Sequence, residues 1–275
     1  MTRPVVDCHV HVLEPDRFPF VPGAGYQPRP DEVGTLALFD ETLRRHGVGR
    51  ALVVQPSGYG TDNACLLDAL ARSAGRFRGI AVIDWAAPER TLLEMKRRGI
   101  VGVRLNLPRS GADLLTRPGA RDFLARVATL GWLVQVYAGA DMWPGIEPIL
   151  RTSGVTVLVD HMGEPDPARG LAHPGFRAVL RLGRETGALV KLSAPYRVST
   201  RPFPYDDIAP FVAALLDAFG PERCVWGSDW PFLAAPGPVD YGRMLEWLER
   251  WVPDARTRDL VLRDNPARLF GFSDV

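Results

Sequence analysis

Short apolar runs alternate with amphipathic segments along the whole chain. The apolar runs are rich in β-branched residues and predict eight strands, at 5–12, 51–55, 79–84, 101–107, 132–137, 155–160, 189–193 and 224–228. Apolar residues spaced at i, i+3 and i+4 predict the helices between them, at 36–47, 63–75, 88–99, 120–131, 144–154, 175–187 and 206–220. Each helical segment ends near a glycine, the residue that commonly follows a helix.

This alternation predicts the fold class. Eight consecutive βα units with nearly continuous apolar strands are typical of an α/β fold of the (β/α)8 TIM barrel type. No break in composition divides the 275 residues, so we predict a single barrel domain over residues 1–275. The alternative is an open doubly wound sheet, which is disfavoured because the loop after the first strand reads HVHVLEP and contains no GxGxxG motif.

Composition and charge narrow the possible partners. The 33 lysines and arginines nearly balance the 32 aspartates and glutamates, giving a net charge of +1, which argues against nucleic-acid or anionic membrane partners. Apolar stretches such as AALL at 213–216 fall far short of the roughly 18 residues that a membrane-spanning helix needs. No signal peptide pattern follows Met1. We therefore expect a cytoplasmic protein whose partner is a small-molecule substrate.

Polar residues interrupt the apolar runs at a few strand ends, where a TIM barrel forms its active site. His9 and His11 alternate on the first strand, so a period of two places both on one face, close enough to share a metal or a substrate oxygen. His161 follows the sixth strand and Asp229 the eighth. The alternatives are core histidines and a helix-capping aspartate. We favour a functional ring because all four side chains would meet at the barrel mouth.

The motifs DCHVH, GVRLN, DHMGEPD, VKLS and GSDWP, in this order, resemble the amidohydrolase superfamily. Within it they are similar to the 2-pyrone-4,6-dicarboxylate lactonase-like and sugar lactonase-like group of amidohydrolase family 2. The resemblance extends to NPARLFGF at 265–272 and implies a hydrolase that opens a lactone ring. Asp229 would activate water, and His9, His11 and His161 would polarise the carbonyl. The resemblance is compatible with no cofactor or with one divalent metal such as zinc, held by these same four residues.

Two departures from the metal-dependent members of the superfamily limit this interpretation. Binuclear members carry a carbamylated lysine on strand 4, where this chain has Arg104 and Asn106. A guanidinium has no acceptor with which to bridge metals, so a two-metal site is not expected. The alternative function is a mononuclear metal-dependent decarboxylase of an aromatic or muconate-like acid. The decarboxylase branch of the superfamily usually has a histidine ligand on strand 5, where this chain has Gln135 and Tyr137, which argues against this function. A non-catalytic binding barrel is the third hypothesis.

The remaining polar residues near strand ends are candidates for substrate binding. Arg104 is predicted to bind a substrate carboxylate, because a guanidinium facing the barrel interior needs an anionic partner. An ion pair with an acid of the protein is the alternative. Further predicted substrate contacts are Tyr137, Lys191, Tyr196 and Arg197, with a structural role as the alternative for Lys191.

Two positions depart from the pyrone lactonase pattern. That pattern has an arginine three residues after the strand 6 histidine, where this chain has Glu164. It has a polar residue shortly after the strand 8 aspartate, where this chain has Phe232. A carboxylate in place of an anion-binding group makes a monocarboxylate or neutral sugar lactone as reasonable a substrate as a dicarboxylate.

Overall fold

Eight parallel strands form the centre of the computed structural model, which describes residues 3–24, 26–32 and 34–272. The strands are β1 (Val5–Val10), β2 (Val48–Val54), β3 (Phe77–Ala81), β4 (Ile100–Asn106), β5 (Leu133–Tyr137), β6 (Thr156–Val159), β7 (Leu189–Ser193) and β8 (Cys224–Gly227). Their order in the sheet is their order in the chain. The predicted (β/α)8 barrel is confirmed, with each strand limit within three residues of its predicted position. The predicted domain limits, residues 1 and 275, lie outside the described residues.

Helices follow the strands and cover the outside of the barrel. They are α1 (Leu36–His46), α2 (Ala64–Arg72), α3 (Glu89–Arg97), α4 (Leu107–Ser110), α5 (Ala120–Thr129), α6 (Trp143–Thr152), α7 (Pro174–Glu185), α8 (Pro195–Val198), α9 (Ala209–Phe219), α10 (Tyr241–Trp251), α11 (Ala255–Asp259) and α12 (Asn265–Phe270). Each predicted helix is present. Across the described ranges, every helix is too short or too polar to cross a membrane.

The barrel interior is divided into an apolar layer and a polar layer. The apolar layer is made by inward-facing strand residues, including Val6, Cys8, Leu52, Ile80, Leu158 and Val225, and Phe270 of α12 packs against it. A larger cluster fills the space between the sheet and the surrounding helices. Because the amino-terminal half of the interior is closed by side chains, the polar residues can gather only near the carboxyl ends of the strands.

A β-bulge in β1 aims the two histidines of that strand. Asp7 pairs with Ala51 and Val10 pairs with Val53, so β1 has one residue more than β2 over this stretch. Cys8, within this stretch, belongs to the interior apolar layer. The extra residue resets the alternation, and bulges commonly re-aim side chains in this way.

The first and last strands meet at the candidate site. The amide of Asp229 donates to the carbonyl of His9 at 2.9 Å, and the amide of His11 donates to the carbonyl of Trp230 at 2.8 Å. A Cβ atom at Gly227 would lie 2.6 Å from Cβ of His9, so only glycine allows this close approach of β8 to β1. Backbone hydrogen bonds thus hold the strand 1 histidines against Asp229.

Candidate active site

A cavity of about 130 Å³ opens at the carboxyl ends of the strands. It brings together six of the nine predicted site residues, which are His11, Arg104, Tyr137, His161, Arg197 and Asp229. His9, Lys191 and Tyr196 are buried and lie outside its lining. Tyr26 from the loop after β1 and Arg109 of α4 complete part of the wall, with the Arg109 guanidinium 5.1 Å from the Tyr26 ring centre.

His9 and His11 face each other through nitrogens that carry no proton. Nδ1 of His9 lies 2.9 Å from Oδ1 of Asp160 and 3.1 Å from Nζ of Lys191. Because an ionised carboxylate can only accept, we place the proton of His9 on Nδ1, where it satisfies the shorter of the two contacts. Nδ1 of His11 donates to the carbonyl of Val54 at 2.8 Å. The two Nε2 atoms lie 3.3 Å apart. Burial lowers the pKa of both rings, that of His11 to about 3, so both stay neutral, with their Nε2 atoms facing each other and Oδ1 of Asp229.

His161 lies on a left-handed turn directly after β6, with a φ of 46°. Its Nδ1 is 2.9 Å from the hydroxyl of Ser193, and its ring centre is 4.4 Å from that of His9. Because a serine hydroxyl can donate as well as accept, His161 is free to carry its proton on Nε2. Burial lowers the pKa of His161 as well, although Asp160 and Asp229 oppose the shift.

Asp229 uses its two carboxylate oxygens differently. Oδ2 accepts hydrogen bonds from the Tyr196 hydroxyl at 2.6 Å and from Nε of Arg197 at 2.7 Å. Oδ1 is buried and has no hydrogen-bond partner among the described residues. It lies 3.6, 4.0 and 3.9 Å from Nε2 of His9, His11 and His161. Burial alone would raise the pKa of Asp229, but the Arg197 guanidinium holds it well below its usual range.

The donor set around Oδ1 of Asp229 fits a single divalent metal. Ligand atoms of His9, His11 and Asp229 all lie within 4.8 Å of one another. Unprotonated imidazole nitrogens and an unpartnered carboxylate oxygen are the ligands that zinc takes in catalytic sites. His9, Asp160 and His161 form a second such group. The oxygens of Asp160 already accept hydrogen bonds from His9 and Gln135, so this second group does not suit a metal.

Lys191, a predicted substrate contact, lies below the histidines. Its ammonium donates to Oε1 of Gln135 at 2.7 Å and lies 3.1 Å from Nδ1 of His9 and 3.4 Å from Oδ1 of Asp160. Nε2 of Gln135 donates to Oδ2 of the same carboxylate at 2.8 Å. Burial raises the pKa of Asp160, but His9 and Lys191 more than offset this, so Asp160 is ionised. The lysine therefore contacts His9 and the Asp160 carboxylate, and it does not line the cavity.

Arg104 is a buried cation with few protein partners. Its Nη1 donates to the carbonyl of Gln55 at 3.3 Å, while Nε has no partner among the described residues. Among the residues that the structure describes, no carboxylate forms an ion pair with the Arg104 guanidinium. Its guanidinium carbon lies 5.7 Å from the ring centre of Tyr137. The ion pair with a protein acid, considered from the sequence, is therefore not seen in the described residues.

Asp160 and Glu164 were missed as site residues by sequence reasoning. Asp160 interrupts an apolar run immediately before His161, a signal that could have marked it as a partner for a strand-end histidine. Glu164 accepts a hydrogen bond of 2.7 Å from the Tyr137 hydroxyl. In the sequence, Glu164 is distinguished only by its departure from the pyrone lactonase pattern. Its approach to Tyr137 depends on the left-handed turn, which has no clear sequence signal.

Comparison with known proteins identifies the family. The Amidohydrolase family model matches residues 6–272. The chain is 32% identical over 282 residues to a 2-pyrone-4,6-dicarboxylate hydrolase of Comamonas testosteroni, covering 98% of this chain and 91% of that protein. It is 32% identical over 270 residues to a 4-sulfomuconolactone hydrolase of Rhizobium radiobacter, covering 96% and 89%. A solved Pseudomonas putida structure, of a protein proposed to be a 2-pyrone-4,6-dicarboxylic acid hydrolase, covers both chains fully with a TM-score of 0.89 and 32% identity. The chain belongs to the amidohydrolase family.

Proposed function

We propose that this protein hydrolyses the ester bond of a small lactone that carries a carboxylate. The observation that carries the proposal is the unpartnered Oδ1 of Asp229, which is surrounded by three imidazole nitrogens beside the buried Arg104. The names of its relatives support the reaction class, because two of them are hydrolases of a pyrone dicarboxylate and of a sulfomuconolactone.

Asp229 is placed to accept a proton from water. A water molecule hydrogen-bonded to Oδ1 gives that oxygen its missing partner and gives up a proton as its own oxygen bonds to the lactone carbonyl carbon. The ring carbon–oxygen bond then breaks, and the departing ring oxygen takes the proton from Asp229. One water is consumed, and one hydroxy acid is formed. The low pKa of Asp229 keeps it ionised, and proton transfer by a positioned group of this kind contributes about 10²- to 10⁴-fold.

The three histidines have different roles in this proposal. His161 can donate from Nε2 to the developing oxyanion, because its Nδ1 can accept a hydrogen bond from the Ser193 hydroxyl and leave the ring proton on Nε2. His9 and His11 have no Nε2 proton to donate while they are neutral, so they can accept from water or ligate a cation. A divalent metal held by His9, His11 and Asp229 would act as a Lewis acid towards the carbonyl.

Other side chains bind the substrate or position these groups. Arg104 binds the carboxylate of the lactone through nitrogens that have few protein acceptors. Tyr196 and Arg197 fix Oδ2 of Asp229 and so aim Oδ1 at the cavity. Asp160 fixes the tautomer of His9, with Lys191 below it.

A panel of acidic and neutral lactones, followed by proton release, tests the function. We expect ring opening of at least one acidic lactone and a loss of about 10²- to 10⁴-fold in kcat for Asp229→Asn. Asp217→Asn, an exposed aspartate in α9, is the matched control and should keep its activity.

Binding measurements separate the competing hypotheses. A hydrolase predicts that Asp229→Asn still binds the lactones. Binding without turnover in both the wild-type protein and the variant would favour a non-catalytic barrel. Release of CO₂ from an aromatic or muconate-like acid, abolished by a chelator, would favour the decarboxylase instead.

A further inference from the structure

Glu164 is a partly buried acid beside the site, and the proposed reaction leaves it without a role. The φ angles of residues 161–164 are 46°, 59°, 76° and 47°, which form a left-handed turn after β6. Side chains rarely adopt this conformation, because Cβ clashes with the backbone. Backbone strain of this kind is concentrated at functional sites. The turn places the Glu164 carboxylate against the hydroxyl of Tyr137.

Among the described residues, the Glu164 carboxylate forms no ion pair. Within the described ranges, no lysine or arginine nitrogen lies within 4.0 Å of it. Burial raises the pKa of Glu164, and the neighbouring anions Asp160 and Asp229 add to this effect, while Tyr137 and Arg197 oppose it. An acid with no ion pair is unfavourable for stability in such surroundings. Its presence therefore needs an explanation from ligand binding.

Glu164 controls which kind of hydrogen bond Tyr137 can make. A tyrosine hydroxyl has one proton, and here that proton is donated to Oε1 of Glu164 at 2.7 Å. The oxygen of Tyr137 can then offer only lone pairs to the cavity that the residue lines. A ligand group facing Tyr137 must therefore be a donor. A carboxylate in that position would meet lone pairs and the negative charge of Glu164.

The opposite polarity is found on the β4 side of the cavity. Arg104 lies on β4 with an unpartnered Nε, and Arg109 follows on α4. Tyr137 separates these cations from His161, since its ring lies 5.7 Å from the Arg104 guanidinium carbon and 5.5 Å from the His161 ring centre. Arg197 also lines the cavity, with Nε bound to Asp229 and Nη2 bound to the carbonyl of Leu233. A ligand spanning the cavity therefore meets the unpartnered Nε of Arg104 on the β4 side and the lone pairs of Tyr137 beside Glu164.

We propose that Tyr137 and Glu164 form a subsite for a hydroxyl group, so that the preferred substrate is a hydroxylated lactone with one carboxylate. Arg104 binds the carboxylate, and Tyr137 accepts a hydrogen bond from the hydroxyl. A lactone with a second carboxylate in place of this hydroxyl is a poor substrate. This inference rests on the proposed lactone hydrolysis and adds the substrate class.

Three lactones test the subsite by their relative kcat/KM values. They are D-glucaro-1,4-lactone, with one carboxylate and several hydroxyls, 5-oxotetrahydrofuran-2-carboxylate, with one carboxylate and no hydroxyl, and 2-pyrone-4,6-dicarboxylate. For the wild-type protein we expect kcat/KM about tenfold higher for the first than for the second, in line with one hydrogen bond to a polar or charged group. The dicarboxylate should be the poorest of the three.

Variants of Glu164 and Tyr137 should change the relative kcat/KM values of the three lactones. Glu164→Arg should raise the ratio of dicarboxylate to glucarolactone kcat/KM by about 10- to 100-fold, because an attraction replaces a repulsion at short range. Tyr137→Phe should abolish the preference for glucarolactone over the lactone without hydroxyls. Glu249→Gln, an exposed position in α10, is the matched control and should leave every ratio unchanged.

The outcomes distinguish the subsite from the reaction. An equal loss on all three lactones in both variants would show that Glu164 is only structural and would overturn the subsite. If the wild-type protein opens none of them, the proposed function fails, and calorimetric binding of the same three lactones to Asp229→Asn then decides the subsite separately. Tighter binding of glucarolactone, reversed by adding Glu164→Arg, would support the subsite; equal affinities would overturn it.

Discussion

Nε2 of His9 lies 3.3 Å from Nε2 of His11, and both protons are on the far sides of the rings. Two lone pairs at this distance repel each other unless a donor or a cation lies between them or beside them. Oδ1 of Asp229 adds a negative charge 3.6 Å from the first of these atoms. The pair therefore creates a small region that favours positive charge within an otherwise buried environment.

We expect this region to bind at most one zinc ion per chain. The donor set of His9, His11 and Asp229 suits one metal, and Arg104 occupies the strand position at which a bridging ligand would be needed for two. Elemental analysis after dialysis against zinc should give one equivalent or less, and His11→Asn should weaken binding at least about tenfold. His46→Asn, at the end of α1, is the control. Two tightly bound equivalents would contradict this prediction.

Arg104→Met should discriminate between acidic and neutral lactones. The guanidinium has no carboxylate partner among the described residues, so its loss should lower kcat/KM for acidic lactones about 10- to 100-fold, the effect of hydrogen bonds to a charged group. Neutral lactones should be affected much less. Arg90→Met, an exposed residue of α3, serves as the control in the same assay. An equal loss for both kinds of lactone would mean that Arg104 is structural.

Lys191→Met should lower kcat while leaving KM nearly unchanged. Since the ammonium lies below Asp160 and outside the cavity lining, its loss should disturb the position of His9 without removing a substrate contact. We expect the free energy of unfolding to fall by about 3–5 kcal/mol, because part of the compensation for a buried charge is lost. Lys96→Met, which changes the only other lysine, is the control. A rise in KM with kcat unchanged would instead support the substrate contact predicted from the sequence.

The buried neutral histidines should make the protein less stable in mild acid. Burial lowers the pKa of His11 from 6.5 to about 3, so between these values the unfolded chain takes up a proton that the folded protein does not. Stability from this group is complete above pH 6.5 and is lost as the pH falls towards 3. The loss is about 1.4 kcal/mol per pH unit, or about 2 kcal/mol between pH 6.5 and 5.

Urea denaturation with a chelator present, compared for the wild-type protein and His11→Gln, measures this effect. The variant should show a shallower fall in the free energy of unfolding between pH 6.5 and 5, by about 2 kcal/mol. Parallel curves for the two proteins would show that His11 titrates in the folded state near its ordinary pKa. Other titrating groups are common to both proteins and cancel in the difference.

The barrel could be predicted from the sequence because the apolar runs repeat eight times with helices between them. His9, His11, His161 and Asp229 could be predicted because each interrupts or directly follows an apolar strand. The depth of a residue within the barrel was harder to predict. Lys191 and Ser193 both face inward on β7, but two residues along a strand correspond to about 6.6 Å. Ser193 therefore reaches His161, while Lys191 lies a layer below.

The other contacts that could not be predicted from the sequence are made by residues in or directly after turns. The approach of Glu164 to Tyr137 depends on positive φ angles at three residues other than glycine, and the residue types DHMGEPD carry little information about that conformation. The role of Tyr196 depends in the same way on Ala194, whose φ is 52°. Sequence periodicity describes strands and helices, whereas these contacts arise in the segments between them.

Two backbone hydrogen bonds, from Asp229 to His9 and from His11 to Trp230, join the end of the last strand of the barrel to the first. A growing chain therefore has no active site until β8 has been synthesised and has found β1, however much of the remaining barrel has already folded. Any partly folded form in which either strand is detached would be inactive even with every other contact in place. Catalytic activity in this protein thus reports on ring closure, and recovery of activity during refolding should coincide with the last step of barrel assembly.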